Sequence, residues 1–146
     1  MLRARPLSRY NLGNLGGPTM IGVFIVTHAS LGEALLQCAC HVLNRRPPNV
    51  LQLGVSGQDD PLDLLPLARR MVELVDDGSG VLILTDIFGA TPANIAMKMH
   101  CPGRFEIITG VNLPMLLRVL TYREHDMPTL VQRAVSGGCD GVIHIR

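Results

Sequence analysis

The order of apolar runs and helix signals along the chain predicts an α/β fold: a mainly parallel open β-sheet with helices on both faces. Three observations carry this. Short apolar runs rich in β-branched residues, such as residues 20–27 (MIGVFIVT) and 81–85 (VLILT), suit strands buried on both faces. Helix-start signals fall between those runs, several with proline in the first turn. The two kinds of segment alternate as βαβαβαβααβ, with no internal repeat and no second domain, so the crossovers should be right-handed.

Taken in order, residues 1–19 stand apart. They hold Arg3, Arg5 and Arg9 and then Gly13, Gly16, Gly17 and Pro18, without a period or an apolar stretch of secretory type. The composition predicts a disordered extension or a misassigned start, with Met20 as the alternative initiator. Residues 20–27 are the first strand. Ser30-Leu31-Gly32-Glu33 is a capping-box sequence, which predicts a helix to about Leu43, ended by Arg45-Arg46-Pro47-Pro48. Residues 49–55 (NVLQLGV) are the second strand. Asp60 as N-cap and Pro61 as first residue open a helix to about Val75. Residues 76–80 (DDGSG) are a turn before the third strand at 81–85. Thr91 caps and Pro92 opens a helix ending near His100. Residues 105–109 (FEIIT) are the fourth strand. A helix spans 112–122 with Pro114 in its first turn, another spans 128–136 and is stopped by Gly137-Gly138, and 141–145 is a short last strand.

Composition excludes several functions. The chain has 146 residues, of which 47% are hydrophobic and 17% charged, which excludes a disordered protein. Thirteen basic against 12 acidic residues leave a formal charge of +1, too little to steer the chain to nucleic acid or an anionic membrane. With 3% aromatics and no Trp there is no stacking platform for bases. No apolar run approaches the ~20 residues needed to cross a bilayer. Cys38, Cys40, Cys101 and Cys139 form no CxxC pair, and no metal site is expected. They read as buried small hydrophobes of a reduced cytoplasm.

In open parallel sheets ligands sit beyond the carboxyl ends of the strands. Three loops lie there: Thr27-His28-Ala29-Ser30, residues 86–92 (DIFGATP) and residues 110–114 (GVNLP). None has a phosphate-loop or dinucleotide pattern, so no nucleotide cofactor is expected. His28 alone among the five histidines ends a strand and precedes a helix. Asp86 ends a strand that should lie close to the first. A carboxylate there would take the imidazole N–H, fix the tautomer and leave the other nitrogen as a nucleophile. The helix N-termini after Ser30 and at Thr91 favour an anion, and Thr91 adds a hydroxyl. His, Asp and helix ends together suit a phosphohistidine. Read alone, each has a plainer role: His28 an incidental surface histidine, Asp86 a turn residue, Thr91 and Asn112 simple caps. The other histidines read as surface residues, and Met97, Met99 and Met115 as packing.

With these motifs in place, the stretch from Met20 to about Ile145 resembles the mannose-type IIA component of the bacterial phosphoenolpyruvate:sugar phosphotransferase system. MIGVFIVTHASLGEAL is similar to the family's opening strand, active histidine and first helix. VLILTDIFGATPANIA and ITGVNLPMLL are similar to its second and third motifs. The resemblance implies that His28 is the phosphorylated histidine and Asp86 its acidic partner. Thr91 stands where many members have Ser, Ala29 where Gly is common, and Phe88 where some have Trp. Thr27, Ser30, Phe88, Gly89 and Asn112 are then candidates to stabilise the phosphoryl group or to line the docking surface, with Leu31 nearby. The implied donor is the histidine-containing phosphocarrier protein and the implied acceptor a IIB component. The chain ends at Arg146 with no IIB segment, so a separate acceptor or a regulatory use is expected. A cytoplasmic homodimer, in some members exchanging the last strand, is also implied.

Two rivals are carried forward. One is the IIA-like phosphotransfer subunit of a dihydroxyacetone kinase, with an early active histidine. The other is a non-catalytic regulatory binding module. A hydrolase using His28 as base lacks a paired nucleophile.

Overall fold

Within residues 19–146, which a computed structural model describes, the apolar runs form one parallel sheet. The reading of the basic, glycine-rich segment falls, up to residue 18, outside the described residues. Strands β1 (Gly22–His28), β2 (Val50–Val55), β3 (Val81–Thr85) and β4 (Phe105–Ile108) lie in the order β2-β1-β3-β4, and every neighbouring pair is parallel. The central strands β1 and β3 are buried almost end to end, which is why their sequences do not alternate. The edge strands are half-buried and admit Gln52 and Glu106.

Five helices cover the sheet: α1 (Leu31–Leu43), α2 (Pro61–Leu74), α3 (Thr91–Met97), α4 (Leu113–Thr121) and α5 (Met127–Asp140). Strand side chains alternate between the two faces. Val23, Ile25, Leu82 and Leu84 turn to one face, against Leu36 and Ala39 of α1, Leu116 and Val119 of α4, and Leu130 and Ala134 of α5. Phe24, Val26, Val81 and Ile83 turn to the other, against Ala68 and Val72 of α2 and Ile95 and Ala96 of α3. So β1 sends its helix to one face and β3 sends its helix to the other. A crevice opens between their carboxyl ends.

The Asp-Pro and Asn-x-Pro signals act as expected. Asp60 accepts the Leu62 N–H at 2.9 Å, and Asn112 accepts the Met115 N–H at 2.9 Å. Among the described residues no helix is long and apolar enough to cross a membrane.

Six expectations need correction. The capping box does not form: Ser30 makes no side-chain cap bond, and the Thr27 hydroxyl, rising from β1, accepts the Gly32 N–H at 2.7 Å instead. Thr91 is the first helical residue of α3 rather than its cap, a place taken by Ala90. That helix stops at Met97, and Lys98, Met99 and His100 continue in tighter turns whose N–H groups bond three residues back. Gly137-Gly138 does not stop α5. The pair is there for packing: a methyl at Gly137 would stand 2.8 Å from Cβ of Arg118, and one at Gly138 2.9 Å from the Met115 methyl, so the glycines let α4 and α5 approach. Finally, residues 142–146 form no strand within the chain, and Val142, Ile143 and Ile145 are exposed. The cysteines also differ from expectation: Cys38, Cys101 and Cys139 are exposed and Cys40 half-buried, all free.

Candidate active site

His28 closes β1 on the same sheet face as Phe24 and Val26, and its imidazole is 50% exposed. Asp86 is the first residue beyond β3, which runs beside β1 with Val26 opposite Thr85. The two side chains meet across the crevice. His28 Nδ1 lies 2.8 Å from Asp86 Oδ2, and the His28 backbone N–H donates to the same oxygen at 2.9 Å. The Ile87 N–H donates to Oδ1 at 3.0 Å.

Asp86 is only 11% exposed. Burial by itself works to raise its pKa. The hydrogen bonds from the backbone and ring of His28, a backbone bond at Asp86 itself and the imidazole charge outweigh that, and the carboxyl lies below its ordinary value. An ionised carboxylate only accepts hydrogen bonds. Nδ1 therefore carries a hydrogen, and in the neutral ring the lone pair falls on Nε2, which makes no hydrogen bond among the described residues. The pair is a fixed tautomer with one free nucleophilic nitrogen.

The remaining candidates divide. Ser30 and Gly89 are exposed, in the loops after β1 and β3, and Thr91, half-buried, opens α3. Gly89 has φ +86°, which its turn needs and a side chain would resist. Phe88 is 73% exposed on the rim, with Ile87 and Leu31 also exposed beside the loops. Thr27 lies under the site rather than in it, fully buried and bonded to Gly32. Asn112 is committed at both ends of its amide: Oδ1 caps α4, and Nδ2 donates to the Gly138 carbonyl at 3.1 Å.

Three features escaped the sequence. Ile87 both anchors Asp86 by its amide and adds apolar surface, and the signal was two adjacent apolar residues in a loop. Gly54 faces the His28 turn from β2, and a glycine inside a strand marks a close backbone approach. Thr85 is fully buried, and its hydroxyl has no partner among the described residues. No group of three or more His, Cys, Asp or Glu set to hold a metal occurs among the described residues.

A family model described as "PTS system fructose IIA component" matches residues 22–135. The mannose-specific EIIAB component of Escherichia coli K12 is 32% identical over 125 residues, which are 84% of this chain but 38% of that protein. The chain thus spans well under half the length of that relative. The fructose-specific EIIA component of Bacillus subtilis 168 is 52% identical over 107 residues, 73% of each chain. Among solved structures, a phosphotransferase system component EIIA from Streptococcus agalactiae superposes with TM-score 0.76 at 22% identity, covering 86% of this chain and 97% of that one. A PTS IIA protein associated with the fucose utilization operon of Streptococcus pneumoniae gives TM-score 0.77 at 19% identity, covering 87% and 94%. At those identities the structures show a shared fold.

Proposed function

Because the chain belongs to the mannose–fructose family of phosphotransferase-system IIA components, we propose that it is a cytoplasmic phosphohistidine carrier that takes a phosphoryl group on Nε2 of His28. The donor is the histidine-containing phosphocarrier protein. The acceptor is a separate IIB protein, or the phosphorylated state itself serves as a signal. The single observation that carries this reading is the half-exposed His28 imidazole with Nδ1 held at 2.8 Å by Asp86.

Transfer is in line. The bond from phosphorus to the donor's imidazole nitrogen breaks as the bond to Nε2 forms, and the donor ring leaves with the electron pair. The proton on Nδ1 stays in place. The phosphorylated ring gains positive charge, which the Asp86 carboxylate stabilises without reorganisation. The Thr91 and Ser30 hydroxyls and the turn at Gly89 are proposed to contact the phosphoryl oxygens. Leu31, Ile87 and Phe88 offer the apolar rim that a small, transient interface uses. The open edge of β4 and the exposed Val142, Ile143 and Ile145 support a homodimer in which this segment of one copy adds to the sheet of the other.

The test is reconstitution with enzyme I, the phosphocarrier protein and phosphoenolpyruvate, read by intact mass spectrometry. One acid-labile phosphoryl group is expected on the wild type and none on His28→Ala. A folded wild type that stays unmodified overturns the proposal. Supplying a IIB protein or a dihydroxyacetone kinase to the phosphorylated form then identifies which class of acceptor drains it.

A further inference from the structure

The turn that presents His28 leans on the neighbouring strand. Ala29, directly after His28, has φ +48°, a left-handed conformation that residues with a Cβ seldom adopt. In that conformation the Ala29 N–H bonds the Val55 carbonyl at 2.8 Å. Its own carbonyl is pressed against β2 at Gly54. The register places Gly54 opposite Thr27 and Val55 opposite His28. A methyl group on Gly54 would overlap the Ala29 carbonyl oxygen and stand 3.2 Å from its carbon. Both neighbours are backbone atoms, so neither can swing aside as a long side chain would.

Relief would require β2 to move away from β1 or the peptide after Ala29 to rotate. Either movement pulls on His28, which is bonded through both its backbone N–H and its ring to one oxygen of Asp86. Two bonds converging on one atom tolerate little displacement of the residue that makes them.

We propose that Gly54 is a positioning residue for His28: its missing side chain seats the Ala29 turn against β2, and that seat sets the imidazole on Asp86. This rests on the reading of His28 as the phosphoryl acceptor. The glycine acts from the strand beside the active histidine, 26 positions away in sequence.

The experiment compares Gly54→Ala with Leu53→Ala, a neighbouring half-buried residue whose loss lowers stability without touching the turn. Two readouts are taken at a temperature where the variants are folded: the rate of phosphoryl transfer from the phosphocarrier, and the His28 tautomer by nitrogen-15 NMR of the imidazole. Gly54→Ala is expected to slow transfer by about tenfold to a hundredfold, as a misplaced reacting group does. It should also show mixed tautomers at His28. Leu53→Ala should keep the wild-type rate and the single tautomer. Adding Ala29→Gly to Gly54→Ala frees the peptide to rotate and should restore most of the rate. A Gly54→Ala protein with wild-type rate and tautomer overturns the proposal, as does a double variant no better than the single. Where Gly54→Ala alone does not fold, the double variant decides: folded with the single tautomer supports the seat, unfolded overturns it. A wild type that accepts no phosphate would sink the carrier reading, yet the tautomer comparison would still decide the role of Gly54.

Discussion

At the amino end of the sheet, Arg123 is 4% exposed, and its guanidinium donates to the carbonyls of Ile21 at 2.9 Å and Asn49 at 3.0 Å. At the carboxyl end of the same β1 strand, His28 is half exposed, and only one of its ring nitrogens is engaged. Burial lowers the Arg123 pKa to about 10, with the nearby Arg45 charge adding to the effect and Asp77 opposing it, so it remains charged at neutral pH. The Asp76 side chain is likewise 4% exposed and held. It takes the N–H groups of Gly78 and Gly80 and the side chain of Arg104. A buried charged group held by several fixed partners is a fastening. An imidazole held at one nitrogen, with the other unpartnered among the described residues, is left able to react. The two ends of the sheet hold one of each.

The sharpest way to break this comparison is at Asp86. Asp86→Asn presents an amide where the carboxylate fixes Nδ1–H, so the wrong tautomer is favoured. Phosphoryl transfer is expected to fall by about 10²–10⁴-fold, measured as the rate of phosphorylation by the phosphocarrier. Asp86 also sets an acid limit. Because its folded-state pKa is lowered, its contribution to stability is present above the ordinary carboxylate value of about 3.9 and is lost as pH falls through the lower folded value. The stability advantage of the wild type over Asp86→Asn, from urea unfolding, should therefore begin to shrink as pH falls below about 4 and vanish below the lower folded-state value. An advantage that persists there would mean the contact is not between charges.

Next in size is Arg123→Met. It keeps the apolar stem but removes the donors at the amino end, and should cost about 2 kcal/mol of stability. Transfer to His28 below the melting transition should not change. A slowed transfer would mean the two ends are coupled and the contrast is false.

Two buried threonines sharpen the same contrast on a smaller scale. Thr27 and Thr85 are both fully buried at strand ends. The first hydroxyl holds the Gly32 N–H, while the second has no partner among the described residues. Thr27→Val should lower stability by about 1 kcal/mol, and Thr85→Val should raise it by up to about 1 kcal/mol. Opposite shifts in the urea midpoint, with unchanged slope, are the expected result. The smallest structural effect is at Phe88. Phe88→Ala should change stability by less than about 0.5 kcal/mol, since the ring is exposed. It should raise the KM for the phosphocarrier if the rim is the docking surface.

Much of this was decided by local sequence. The continuous apolar runs of β1 and β3 demanded a sheet covered on both faces, and alternating helix signals demanded parallel strands. Asp60 and Asn112 had to cap, because each stands before a first-turn proline and has an oxygen to offer the orphan amides. His28 and Asp86 were legible as a pair because both sit at strand ends on the side where crevices form. What local sequence could not decide were the contacts made across elements. Thr27 displaced Ser30 as the α1 cap because β1 brings its hydroxyl to the helix from below. Gly137-Gly138, helix stops by propensity, are carried through by the close approach of α4. The segment 142–146 has strand-like composition, but a strand needs a partner edge, and none is paired with it among the described residues. Propensity acts over a few residues, and it placed the helix starts to within about one residue, Thr91 being the first residue of α3 and not its cap. Wherever a group from another element supplied the hydrogen bond or filled the space, the tertiary structure had the deciding term.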